Sequence, residues 1–150
     1  MVYNINMDKT VELTLDFDNT VTTEDRFSIR HFLEDFIDII NNQSQDELSE
    51  MISGAATAEG FSDFVMQKQE ILNMFYSKFF GRRNSYINFS KLKLTFDKRL
   101  FQIRGEYEEY SEGILAAAGS IQISLVKNDD SFEFVTFKFY PRMRANIQHD

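Results

Sequence analysis

The sequence has no cysteine, no tryptophan and a single proline, Pro141. Without thiols there is no disulfide, no thiolate metal site and no cysteine nucleophile, which suits a reducing compartment. Long apolar runs are missing too. The longest, ILAAA at 114–118, is far short of the roughly 20 residues that cross a bilayer. The N-terminal MVYNINMDKTVEL has no basic stretch followed by an apolar run, so no signal peptide is expected. A cytoplasmic protein away from membranes is the expectation. Positive charge is also scarce: 16 Lys and Arg against 24 Asp and Glu leave a net charge of -8. Few cations remain to displace counterions from a phosphate backbone, so nucleic acid is not an expected partner.

What the chain has instead is phenylalanine, 16 in 150 residues. So much aromatic area must enter a core, a pocket or a subunit contact. The length suits one domain over 1–150 that buries its own core. Its expected body is about 23–140, with an extra strand at 10–17 and a tail over 143–150.

Residues 10–17 alternate, with Val11, Leu13, Leu15 and Phe17 on one face and Thr10, Glu12, Thr14 and Asp16 on the other, the pattern of a half-exposed strand. Thr22, followed by Glu24 and Asp25, reads as a capped helix start. Ile29, Phe32, Leu33, Phe36, Ile37 and Ile40 then recur at helical spacing, which predicts an amphipathic helix over 23–41. Ser44 and Glu47 are spaced as a capping box for a short second helix with an apolar face of Leu48, Met51 and Ile52, ended by Gly54. GAATAEG is a short link with room for a brief strand, and a third helix is expected from Ser62 to Phe80, capped by a left-handed Gly81. Beyond it the period changes to two. Strands are expected near 84–96, 99–110, 114–127 and 132–140, joined by short turns and therefore antiparallel.

LTLDFDNTV, residues 13–21, resembles the first motif of haloacid-dehalogenase-type phosphatases. That resemblance implies a nucleophilic Asp16, an acid or base at Asp18 and a magnesium ion. Against it stand the polar face of the strand, the lack of helices alternating with strands after residue 82, and Asp129 and Asp130 falling in a hairpin turn. The plainer reading is a polar turn at Asp18, Asn19 and Thr20 before a capped helix. The phosphatase stays an outside alternative.

Helices followed by a long meander make an α+β protein with helices packed on one face of a mainly antiparallel sheet. In element order, and in stretches such as IRHFLEDFIDIINNQSQDELSEMI and EILNMFYSKFFG, the chain resembles the nuclear-transport-factor-2-like, or cystatin-like, superfamily. That group holds SnoaL-like polyketide cyclases, ketosteroid isomerases, scytalone dehydratases and non-catalytic binding modules. The resemblance implies a curved sheet around a long helix, a cone that can hold a small apolar ligand and no cofactor. The expected pocket residues are Phe36, Phe75, Tyr76, Phe101, Ile103, Tyr107 and Phe137. Strand 99–110 puts Phe101, Ile103, Gly105, Tyr107 and Glu109 on its inner face. A carboxylate beside a phenol is the kind of pair an isomerase uses, so Glu109 and Tyr107 are the candidate catalytic residues. The acidic EYEEYSE around Glu109, at a strand end, predicts instead that it is exposed.

His31 lies opposite the Leu33 and Ile40 stripe and is expected in solvent, with His149 in the tail. No spacing suits a metal site, a serine elbow or a glycine-rich phosphate loop. GRRNSY at 81–86 is the one compact basic spot. Finally, strand 132–139 shows Phe132 and Phe134 on one face and Val135, Phe137 and Phe139 on the other. Strands apolar on both sides need cover on both, which predicts a homodimer through the sheet face. The leading expectation is a dimeric binder of a small apolar ligand. An isomerase, lyase or cyclase on the same scaffold is the alternative, and an interaction protein whose own phenylalanines fill the cone is a third reading.

Overall fold

The computed structural model describes residues 13–42, 45–60 and 63–144. In chain order they form β1 (Leu15–Phe17), α1 (Thr23–Asn42), α2 (Gln45–Met51), β2 (Ile52–Glu59), β3 (Met66–Gln67), α3 (Lys68–Phe79), β4 (Tyr86–Asp97), β5 (Leu100–Ser111), β6 (Ile114–Asn128) and β7 (Ser131–Arg144). The described strands make one curved sheet in the order β1-β4-β5-β6-β7-β2-β3, with the helices against its inner face. β4 to β7 form the antiparallel meander, while β1 on β4 and β2 on β7 are parallel. This is the α+β architecture expected; of the extra strand expected over 10–17, Leu15–Phe17 forms a strand on a sheet edge, Leu13 and Thr14 are not in it, and 10–12 lie outside the described residues.

α1 and α3 start where backbone donors find acceptors. Thr22 Oγ1 accepts from Asp25 N at 3.2 Å, the expected cap of α1. α3 starts at Lys68, not at Ser62, which lies outside the described residues. Met66 and Gln67 pair with Ala58 and Thr57 as a strand, and Gln67 N donates to Glu70 Oε1 at 2.9 Å. The chain ahead of Lys68 is therefore committed to the sheet. Gly54 does not end α2 either. That helix stops at Met51 and the chain enters β2 directly, where Ile52, Ala56 and Ala58 are buried and Gly54 sits within the strand. The expected capping residue Ser44 lies outside the described residues. Gly81 has the expected left-handed backbone, φ 74°.

Two of the sheet's irregularities decide what its faces carry. Lys91, at φ 55°, and Leu92 form a bulge in β4 opposite Gly105. A Cβ on Gly105 would stand 2.5 Å from Leu92 Cδ2 and 2.7 Å from Ser90 O, so only glycine lets the bulged strand approach this closely. The second is in β7. Phe134 pairs with Leu125 and Thr136 with Ser124, leaving Val135 as the extra residue. The bulge reverses the strand's phase, so Phe132, Phe134, Phe137 and Phe139 all point inward and are all buried. The expected two-faced apolar strand is thereby corrected, and with it the reason for covering the outer face. That face carries Gln102, Arg104, Glu106, Ser120, Gln122, Ser124, Thr136 and Lys138 in register. β7 also runs on through Pro141 to Arg144 instead of stopping at 140.

Gly105→Ala should lower stability by about 1–3 kcal/mol, the range for overpacking against backbone. Urea unfolding measures this, and an unchanged midpoint would show that the bulge does not depend on the glycine.

Candidate functional site

The inner face of the sheet and the helices on it enclose the region where a cone-shaped pocket is expected. Its centre is made of rings. Phe36 from α1 has no exposed surface and packs against Phe75, Phe89, Phe134 and Phe137 at centroid separations of 5.6, 6.2, 4.7 and 6.2 Å. Phe75 and Phe137 also meet each other at 5.8 Å. Phe89 is stacked parallel to Phe36 and the other pairs are edge-to-face or tilted, all at ordinary aromatic packing distances. Ile103 is fully buried within the same core.

The seven expected pocket residues are spread over the interior and its margin. Phe36, Phe75, Ile103 and Phe137 form the centre. Phe101 lies toward one end of the sheet with Phe96 and Phe132, at 4.5 and 5.6 Å. Tyr107 lies toward the other, its ring 4.8 Å from Phe139. Tyr76 is half-buried on the flank of α3, 5.1 Å from Phe80. Burial, and then the charge of Asp46, raises its phenol pKa.

Both ends carry an ion pair between helix and sheet. At the Tyr107 end, Lys78 Nζ in the last turn of α3 reaches Glu109 Oε2 at 2.8 Å. At the other, Lys127 Nζ meets Asp25 Oδ1 at 2.9 Å in the first turn of α1 and stands 6.0 Å above the Phe132 ring. The hydrogen bond from Lys127 to Asp25, and the charge of Asp25, raise the lysine pKa. These positions suit the helix dipoles, a cation at a C-terminus and a carboxylate at an N-terminus. Neither pair was readable from the sequence. The only local trace is a lysine closing one helix and an acid opening another.

Glu109 corrects the expectation of exposure, since only 8% of it is accessible. It lies between Ile87 and Ala117 in the register, and β5 continues past it to Ser111, so the residue is inside a strand and not at its end. Its neighbour in the inner phase, Tyr107, is buried as well.

The DFDNT motif is a strand-to-helix turn. Asp16 is exposed on edge strand β1, while Asp18 accepts from Thr20 N at 2.9 Å and from the Thr20 hydroxyl. Thr20 Oγ1 in turn accepts from Phe96 N of β4 at 2.9 Å, and Asp18 N donates to Leu94 O at 3.1 Å. Arg26 donates to Val21 O and Asp18 O at 2.9 and 3.0 Å, closing the turn from α1. The Thr20 side-chain bond is the main reason that Asp18 titrates below its ordinary value. His31 is exposed as expected, 4.5 Å from the Phe27 ring; His149 lies outside the described residues. In the basic spot, Arg82 donates to Ser77 O at 2.9 Å and stands 3.8 Å from Glu112.

No family model matches the sequence, and no curated protein matches it in sequence. Solved structures do match in shape. A protein of unknown function with a cystatin-like fold from Nostoc punctiforme has a TM-score of 0.65 at 11% identity, over 81% of this chain and 93% of that one. A nuclear-transport-factor-2-like protein of unknown function from Pseudomonas aeruginosa gives 0.62 at 13% identity, over 79% and 98%. A putative scytalone dehydratase from Novosphingobium aromaticivorans gives 0.61 at 12% identity, over 80% and 85%. The chain has the cystatin-like, nuclear-transport-factor-2-like fold.

Two tests follow from this geometry. Lys78→Met would strand the buried Glu109 carboxylate and should cost about 1–3 kcal/mol in urea unfolding, with Lys78→Arg restoring most of it. An unchanged midpoint would show that the pair holds nothing together. Because the folded-state pKa of Asp18 is depressed, its contribution to stability is full above the unfolded pKa and fades as pH falls through the folded one. In Thr20→Val, the Asp18 carboxyl followed by carbon NMR should titrate closer to an ordinary aspartate. No upward shift would contradict the assigned cause.

Proposed function

We propose that this nuclear-transport-factor-2-like chain is a non-catalytic interaction module whose cone is filled by its own aromatic side chains. The observation that supports it is the Phe36 cluster. The rings that a pocket would offer to a ligand are already in contact with one another. In this reading the cone is the hydrophobic core, and recognition takes place on the outside of the molecule. The enzymes known on this fold do not carry over to this chain, since the likeness is one of shape.

A second reading, binding or isomerisation of a small apolar molecule, is favoured by Glu109. A buried carboxylate on the inner face, one inward position from the Tyr107 phenol, is the group such chemistry needs. Its pairing with Lys78 weighs the other way, because an ammonium at 2.8 Å occupies the carboxylate.

The two readings separate in a thermal-shift experiment with a small aromatic probe such as indole. Under the filled-cone reading the wild type does not respond. Phe36→Ala, destabilised by about 3–5 kcal/mol, gains a dry cavity and is stabilised by the probe. Should that variant fail to fold, native mass spectrometry of the wild type decides the same point. A discrete apolar molecule carried by the folded protein would overturn the filled cone and favour the second reading.

A further inference from the structure

The outer face of the sheet has a concave patch that neither reading of the cone uses. A depression of about 440 Å³ is lined there by Arg104, Gly105, Ser120, Ile121, Gln122 and Tyr140. We propose that it binds a small ligand through an oxyanion, a phosphate or a carboxylate group, with Arg104 as the principal contact.

The strand register assembles the patch. Arg104, Gln122 and Lys138 lie side by side across β5, β6 and β7, and Lys93 of β4 extends the row beyond Arg104. The next row brings Glu106, Ser120 and Tyr140 together. Arg142 folds back over it, its Nη1 donating to Ser120 Oγ at 3.1 Å. With that lone pair used, the serine proton is available to a ligand. The guanidinium, the amide NH2, the serine hydroxyl and the half-exposed Tyr140 phenol can all donate hydrogen bonds. Donors lining one depression with cations in the adjoining register are what an oxyanion requires, and arginine offers it two parallel bonds.

Charge agrees with this assignment. The chain as a whole is at -8, yet Lys93, Arg104, Lys138 and Arg142 share this one face. Among the described residues none of the four has a carboxylate within ion-pair distance. Three acids border the row. Glu106 is drawn aside toward Lys91 at 3.7 Å, while Asp16 and Glu59 flank it through their register with Lys93 and Lys138. The patch thus keeps a positive centre with its acids at the rim. Concavity favours a small ligand over a flat protein surface, and the exposed ring of Tyr140 provides a wall against which its body can rest.

The test is a nitrogen-15 NMR titration of the full chain with inorganic phosphate and, separately, with citrate, against chloride at equal ionic strength. The expected result is saturable shifts at the amides of Arg104, Ser120, Gln122 and Tyr140. Affinity should fall about tenfold or more in Arg104→Gln, with circular dichroism and melting temperature unchanged, as for loss of a bidentate charged contact. The stronger-binding anion identifies the phosphate or carboxylate class. Scattered or non-saturating shifts, or shifts that Arg104→Gln does not weaken, would overturn the site. It would equally be overturned by a dimer in sedimentation that dissociates in Arg104→Gln and that phosphate does not compete with. The face would then belong to a second copy, with the Glu106 and Glu108 carboxylates of one chain meeting Arg104 of the other.

Discussion

The extra residue at Val135 decides what kind of molecule this is. A regular β7 would send two of its phenylalanines to the core and two to the opposite surface. The bulge shifts the phase in mid-strand, so all four rings arrive on the inner side. Phe36 on α1 is then enclosed by Phe134 and Phe137 from the sheet and by Phe75 from α3. With the four phenylalanines inside, the outer face is left mainly to serine, threonine, glutamine and charged residues, with the ring of Tyr140 among them. One backbone irregularity therefore brings four rings to the inner face and leaves the other face mainly polar.

The remaining features follow from that division. The sheet must curve around the ring cluster, and the β4 bulge opposite Gly105 provides one of the bends. A cone open at its ends would admit water to the rings. Lys78 with Glu109 at one end and Lys127 with Asp25 at the other tie helix termini down to the strands. Charged pairs at these places contribute little as isolated surface bridges. Their value here is positional, because they fix helices against a sheet where the apolar contacts thin out. The turn at Asp18 and Thr20 does a similar job for the edge strand, joining β1, β4 and α1 with side chains that look, out of context, like a catalytic motif.

How much of this was legible depended on whether the signal was local. The stripe from Ile29 to Ile40 is periodic over about three turns, and α1 formed where it predicted. The inner phase of β5 was readable for the same reason, because Phe101, Ile103 and Tyr107 alternate without interruption. The phase of β7 was not, since alternation carries no mark of an inserted residue, and Val135 is apolar enough to pass for either face. Gly54 looked like a helix stop because the pairing partner that draws residues 52–59 into a strand is β7, far along the chain. Glu109 looked exposed because its neighbours in sequence are acidic, whereas its partner Lys78 lies 31 residues away. As for the site, Phe36, Phe75, Phe101, Ile103, Tyr107 and Phe137 are buried and Tyr76 is half-buried. That Phe36, Phe75 and Phe137 meet one another is a property of packing in three dimensions, which no spacing rule reports.

In the filled cone proposed above, Phe36 and the rings around it leave no room for a ligand. A crystal pressurised with xenon tests this most directly, because xenon enters dry apolar cavities without needing any polar recognition. No xenon between Phe36 and the sheet is the predicted result. A well-occupied xenon atom there, or electron density for a small molecule already in place, would contradict it and return the cone to the role of a binding site.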